Sequence, residues 1–252
     1  MDLSADFEYQ MIQPESGLTD FVEVFWMLHN PSEKEHKIVL IPDGRIDLIF
    51  CRSSEGTFRT VLKGIDTKPS EVTFLPETTY FAVSFKLLAV EYFLDLNIAE
   101  LLDGGKLLST DFGLLYEDLN DFEVFCKKLS VVIKAGLNTD IDSRKRKLFQ
   151  LIYTSKGAMP VAELADQVYW SSRQINRYFN QRFGISLKAY CSILRFLASL
   201  HHIKDGQLFP EQNFSDQSHF IKEVKRLSGV SPGALSKNEN DRFILLSTWP
   251  KK

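Results

Sequence analysis

The stretch SSRQINRYFNQRFGIS, residues 171–186, decides how the rest of the chain is read. Ile175, Tyr178, Phe179 and Phe183 recur at i, i+3, i+4 and i+8, which lays one apolar stripe along a helix. Ser171 or Ser172 can cap its N-terminus by accepting from a free backbone N–H. Gly184 stands where a left-handed C-cap is expected. The remaining face holds Arg173, Gln174, Asn176, Arg177, Asn180 and Gln181. A face that is merely solvated usually mixes Glu and Lys. Arg, Gln and Asn instead form paired hydrogen bonds with guanine and adenine edges in the major groove. These residue types point to nucleic-acid readout, and a plain surface helix is the competing account.

Composition frames that helix. At 252 residues, with 44% hydrophobic and 25% charged, the chain has room for one large globular domain or two ordinary ones. No run approaches the ~18 uninterrupted apolar residues of a membrane span. The opening MDLSADFEYQ is acidic and polar, unlike a secretory signal. Cys51, Cys126 and Cys191 lack metal-type spacing and read as reduced thiols of a cytoplasmic protein. The charge is uneven: residues 1–142 carry 12 Lys/Arg against 25 Asp/Glu, and residues 143–252 carry 18 against 8. A basic half joined to an acidic half suggests a polyanion-binding module beside a part that avoids polyanions.

The first half reads as β-rich. VEVFWML (22–28), KIVLI (37–41), RIDLIF (45–50), RTVLKG (59–64), EVTFL (71–75) and YFAVSFK (80–86) are β-branched and aromatic runs between turn signals. Asp43-Gly44 between the second and third runs predicts a hairpin. Helical patterns follow in LLAVEYFLDL (87–96) and LNDFEVFCKKLSVVIKAG (119–136), and LNTDIDS (137–143) reads as a polar linker. Everything beyond it looks helical. There SSRQINRYFNQRFGISLKAY (171–190) aligns with DQSHFIKEVKRLSGVSPGAL (216–235) at an offset of 45 residues. Apolar positions, Gly184 on Gly229 and Ser186 on Ser231 all coincide. Ahead of the first copy, MPVAELADQVYW (159–170) supplies a short helix with Val161, Leu164, Ala165 and Val168 on one stripe. A short helix, a tight turn and a second capped helix make a helix-turn-helix, whose second helix enters the major groove. SLKAYCSILRFLASLHHIKDG (186–206) would be the helix between the two units, with Tyr190, Ile193, Leu194, Leu197 and Leu200 on one face. About 18 residues span ~27 Å, near the ~34 Å between successive turns of one groove.

These two ordered motifs resemble the AraC/XylS family of bacterial transcription regulators. The first unit follows the pattern S-x-R-x-(L/I)-x-R-x-F, then G-x-S and a Tyr; FSDQSHFIKEVKRLSGVSP (214–232) follows the second unit. The resemblance covers residues 145–237. It implies two helix-turn-helix units on a linker helix, with Arg173, Gln174, Asn176 and Arg177 facing DNA from the first and Gln217, Ser218, His219 and Lys222 from the second. It departs from the pattern at QLFPEQN (207–213), which is short for a scaffold helix and carries Pro210 and Asn213. The resemblance implies double-stranded DNA as partner, and admits a small organic effector, RNA polymerase and a second copy of the chain.

The expected fold class is α+β. A β-rich domain, a cupin-like barrel or a sandwich, spans residues 1–136 with trailing helices and serves sensing or dimerisation. A linker covers 137–143, an all-α double helix-turn-helix 144–240, and a C-terminal tail 241–252 packs onto the body. No cofactor and no metal are expected, because His29 and His36 form no H-x-H pair and His201-His202 have no partner at i+4. No nucleophile elbow, phosphate-binding Gly loop or triad order is visible, so the chain does not read as an enzyme. Asp43-Gly44-Arg45 is a binding-loop candidate, or simply a turn. The run Arg144–Lys147 is either a phosphate grip or a solvated helix start. Two rival functions remain: a protein-interaction module whose shortened second unit no longer reads DNA, and a small-molecule enzyme on the N-terminal barrel.

Overall fold

Alternating burial turns the β-branched runs of the first half into strands, as the period-2 pattern requires. The computed structural model describes residues 7–54, 56, 58–207, 214 and 216–237. The strands are β1 (Glu8–Ile12), β2 (Val22–Asn30), β3 (His36–Leu40), β4 (Ile46–Ser53), β5 (Phe58–Lys63), β6 (Ser70–Phe74), β7 (Thr78–Phe85) and β8 (Gly105–Leu108). Six form an antiparallel sheet in the order β1-β2-β7-β4-β5-β8, with Val83 at its centre opposite both Phe25 and Leu48. β1 and β8 are its edges, so this sheet does not close into a barrel among the described residues. β3 and β6 form a separate ribbon whose Ile38 and Phe74 pack on Leu28. The layout is nearer to the sandwich than to the barrel. One expectation is corrected: Asp43-Gly44 makes no hairpin, because β3 pairs with β6 while β4 pairs with β5 and β7. Gly44 does take φ 71°, but the chain there crosses from one sheet to the other.

The opposite face of the six-stranded sheet is filled with aromatic rings. Phe25, Phe50 and Phe81 all meet Phe125 of α2 (Phe122–Gly136), with centroids 6.5, 5.5 and 5.3 Å away. Such edge-on and tilted pairs contribute about 0.5–1.5 kcal/mol each beyond area burial. α1 (Leu88–Tyr92) follows β7 directly. Among the described residues the regular elements of the second half are all helices: α3 (Ser143–Thr154), α4 (Val161–Val168), α5 (Ser172–Phe183), α6 (Leu187–Lys204), α7 (Gln217–Ser228) and α8 (Pro232–Lys237). Residues 137–142 join α2 to α3, pinned by Asn138 N–H on the Tyr92 carbonyl (2.7 Å) and Asp142 N–H on the Tyr92 hydroxyl (3.1 Å). On α6 the buried face is set by Tyr190, Ile193, Phe196, Leu200 and Ile203, whereas Leu194 and Leu197 are only partly covered.

One apolar core runs through both halves, from Leu18 near the N-terminus to Leu235 on α8. Polar contacts cross the same boundary. Tyr190 Oη on α6 donates to the Gly44 carbonyl at 3.0 Å and lies 3.1 Å from Tyr153 Oη of α3, which accepts from Leu87 N–H at 2.9 Å. Glu91 on α1 takes Lys145 of α3 on one carboxylate oxygen and the Tyr178 hydroxyl of α5, at 2.9 Å, on the other. Arg182 Nη1 donates to the Leu96 carbonyl at 3.0 Å, and Ile98 N–H donates to the Arg182 carbonyl at 3.2 Å. Arg226 of α7 reaches the Thr67 carbonyl at 3.4 Å.

Candidate nucleic-acid interface

The local chemistry of α5 explains why it starts and stops where it does. Ser171 Oγ accepts from Gln174 N–H at 3.2 Å, and Gln174 Oε1 accepts in return from Ser171 N–H at 2.8 Å, a reciprocal capping box. Gly184, at φ 73°, ends the helix with its N–H on the Asn180 carbonyl at 3.1 Å. α7 repeats the design 45 residues on. Asp216 accepts from His219 N–H at 2.8 Å, and Gly229 at φ 78° closes the helix on the Lys225 carbonyl. Both helices are 12 residues long, and Ser186 and Ser231 then cap α6 and α8 in the same manner. The tandem repeat read from the sequence is therefore a repeat of caps as well as of apolar positions.

Ile175, Phe179 and Phe183 fill the core side of α5, where Phe179 and Phe183 pack on Phe149 of α3. The outward side presents Arg173 and Arg177, both exposed and without a hydrogen bond or ion pair among the described residues. The other two expected readers of this helix are turned toward its own backbone. Gln174 spends its carbonyl oxygen on the cap. Asn176 is half-buried and donates Nδ2 to the Ser172 carbonyl at 3.0 Å. On α7, Gln217, Ser218 and Lys222 are exposed, whereas half-buried His219 packs its ring 5.7 Å from Phe214 and keeps Nδ1 buried, with no hydrogen-bond partner among the described residues. Glu223 accepts from Arg226 and from Ser192 of α6, and the Arg226 hydrogen bond above all, then that of Ser192 and the Arg226 charge, hold its carboxyl below the usual range against the cost of burial. Pro210, Asn213 and the tail 241–252 lie outside the described residues.

The structure also shows a residue that pattern reading passed over. Tyr169, in the turn between α4 and α5, has φ 55° and ψ 37° and is 88% exposed. Its neighbour Trp170 turns inward, 5.8 Å from Tyr178 and beneath the Arg144 guanidinium at 5.3 Å. Position 169 offered no signal, because only the backbone geometry shows that the turn needs a left-handed residue there.

The basic run in the first turn of α3 is paired at three of its four positions, with Lys147 left exposed. Arg144 pairs with Asp142 at 2.9 Å, Lys145 with Glu91, and Arg146 with Asp20 at 3.4 Å. Burial, followed by the Glu91 carboxylate, pushes the Tyr178 hydroxyl pKa well above its ordinary value, so it stays a donor. The Asp43-Gly44-Arg45 loop is likewise engaged: Arg45 N–H donates to Asp43 at 3.0 Å, its guanidinium reaches Glu23 at 3.5 Å, and Gly44 meets Tyr190. It serves as a joint between the halves. The reading that His201 lacks a partner at i+4 is corrected: it lies 3.5 Å from Asp205, one helical turn on, on the exposed side of α6. Among the described residues no cluster of three His, Cys, Asp or Glu side chains is placed to hold a metal. No single described helix is long and apolar enough to cross a membrane.

The family model that matches the chain is described as a domain of unknown function, DUF6597, and spans residues 10–105. That is the sheet region; it includes none of the helices α3 to α8. No curated protein matches the chain. Solved structures of ToxT from Vibrio cholerae are similar. ToxT of strain O395 is 11% identical with a TM-score of 0.43, over 92% of this chain and 96% of that one. The same protein bound to (E)-4-(8-methylnaphthalen-1-yl)but-3-enoic acid is 13% identical with a TM-score of 0.44, over 92% and 97%. Wild-type ToxT of strain SCE256 bound to an unsaturated fatty acid is 15% identical with a TM-score of 0.39, over 90% and 92%.

Proposed function

We propose that the protein is a sequence-specific DNA-binding transcription regulator of the AraC/XylS type. The observation that carries this reading is the pair of equal, capped 12-residue helices, 45 residues apart, each with exposed cations that are unpaired among the described residues, Arg173 and Arg177 on one and Lys222 on the other. α6, at 18 residues and ~27 Å, separates them by roughly the spacing of adjacent groove turns. Arg173 and Arg177 read guanine edges through N7 and O6. Gln217, Ser218 and Lys222 contact the second site, and Asn176 and Gln174 contribute the amide hydrogens their internal bonds leave over. His219 supports α7 from Phe214. An organic effector in this reading acts through the N-terminal half, whose loops hold α5 and α6. RNA polymerase and a second copy of the chain are the protein partners, in the cytoplasm.

Selection of bound sequences from a random duplex pool with the full chain tests the reading. One enriched motif is expected, with affinity falling steeply as salt rises because phosphate contacts release counterions. Arg177→Ala should cost about 1–3 kcal/mol on that motif and relax one base position, with a stability change within about 0.5 kcal/mol. Ile175→Ala, fully buried, should instead unfold the unit, at about 2–5 kcal/mol. A pool that enriches nothing at low salt refutes the reading.

A further inference from the structure

We infer that Tyr169 is a contact to the sugar-phosphate backbone of duplex DNA, held outward by the turn that joins α4 to α5. The inference rests on the regulator reading and adds a residue that neither the motif nor the repeat points to. Two local rules are broken at this one position. A left-handed backbone favours glycine or asparagine, yet the residue is an aromatic with φ 55°. A large ring is normally covered, yet this one is 88% exposed and makes no ring contact or side-chain hydrogen bond among the described residues. Phe112, the other aromatic with positive φ, obeys the second rule, its ring lying 6.2 Å from Phe50 and 6.3 Å from Phe93. The remaining residues with positive φ, glycine apart, are Glu77, Asp95, Asp103 and Lys156, all polar. Positions where local preference is violated without an internal gain mark functional sites.

The turn also places the ring on the side that matters. Tyr169 N–H bonds to Asp166 O and Trp170 N–H to Ala165 O, which fixes the chain reversal. Trp170 is driven into the packing beside Tyr178, so its predecessor points out. Two residues later Ser171 caps α5, and Arg173 follows within the first turn. The N-terminal end of a reading helix meets the bases, so the residues just before it pass the wall of the groove, where phosphates and sugars are bound. A phenol suits that wall: the hydroxyl donates to a phosphate oxygen and the ring lies on the deoxyribose. Such a contact is independent of sequence.

The test therefore needs no operator. Full-length Tyr169→Gly, Tyr169→Asn and Tyr169→Phe are compared with the unmodified chain for melting temperature and for affinity to a labelled random-sequence duplex at several salt concentrations. Glycine and asparagine accept the left-handed turn, so both variants should melt no lower than the parent. Tyr169→Phe, which removes only the hydroxyl, should lose about two- to tenfold in affinity, the worth of one hydrogen bond. Tyr169→Gly and Tyr169→Asn, which also lose the ring, should lose at least as much, with the salt dependence unchanged because no cation is lost. Tyr169→Gly and Tyr169→Asn binding as tightly as the parent overturns the assignment and leaves the regulator reading standing. A parent chain that binds no duplex at low salt overturns both.

Discussion

Asp47→Asn should stabilise the protein at neutral pH and leave it unchanged near pH 4. Asp47 follows Ile46 at the start of β4, on the same face of the sheet as Ser84, its cross-strand neighbour. Ser84 Oγ donates to its carboxylate, and Trp26 Nε1 donates to Ser84 at 3.0 Å. Burial, and then the charge of Asp43, push its pKa up from 3.8 to about 6, which Ser84 and Arg45 only partly offset. The folded value exceeds the unfolded one, so between about pH 4 and pH 6 the native chain keeps a proton that the unfolded chain has released. Stability accordingly falls as pH rises through that window and stays at the lower level above it. Two pH units at about 1.4 kcal/mol each bound the loss at about 3 kcal/mol. The side chain is half-buried rather than sealed, which brings the expectation to about 1–3 kcal/mol. Asparagine keeps the acceptor for Ser84 and has no proton to lose. Urea unfolding of parent and variant at constant ionic strength, at steps from about pH 4 to pH 7.5, isolates the difference. The two should coincide at the acid end, with the variant ahead at the neutral end. A parent that gains on the variant as pH rises would refute the reasoning, since Arg45 would then be holding Asp47 ionised.

Three further outcomes follow from the geometry of α5. Gly184→Ala should cost about 2 kcal/mol or more in a denaturation midpoint, because the added Cβ would stand 2.8 Å from the Ala99 carbonyl at φ +73°. Glu91→Gln should cost about 1–3 kcal/mol by removing the charge opposite Lys145, whose side chain is 18% exposed, and hydrogen exchange in α5 should quicken if Glu91 holds that helix. Gln174→Ala should lose about 1 kcal/mol of stability with its cap and relax base preference at one position; an unchanged base preference would show that its amide does not read DNA.

Much of the fold was legible because burial and period coincide. β2, β4, β5 and β7 stand within a few residues of their apolar runs. β1, EYQMI, was missed because its polar Glu8 and Gln10 hide the alternation of an edge strand, and β8 because four residues carry too little pattern. The Asp43-Gly44 cue was right about backbone and wrong about pairing: turn residues fix a local φ, while partners are settled by the whole sheet. On α6, Phe196 displaced Leu194 and Leu197 because this helix is covered on more than one side. At the site, the spacing of Ser171 and Gln174 is that of a capping box, a local use of a side chain that can also be read as a base contact. The link from Glu91 to Lys145 and Tyr178 spans 54 and 87 positions, beyond any pattern in one sequence.

α5 is tied to the N-terminal half along its C-terminal part. Tyr178 bonds to Glu91, and Arg182 and Gly184 sit against the segment at Leu96–Ala99, whereas Arg173, nine residues before Arg182, has no hydrogen bond or ion pair among the described residues. From Arg182 to Arg173 the helix is a lever about 13 Å long, packed on its own unit through buried Ile175. Under the proposed DNA-reading role, tilting the Arg182 end by about 10° would swing the Arg173 end by about 2 Å, most of the length of a hydrogen bond and enough to unseat a two-pronged guanine contact. Small shifts in the loop after α1 would then be magnified at Arg173, and the stiffness of that joint would set how sharply the helix can discriminate.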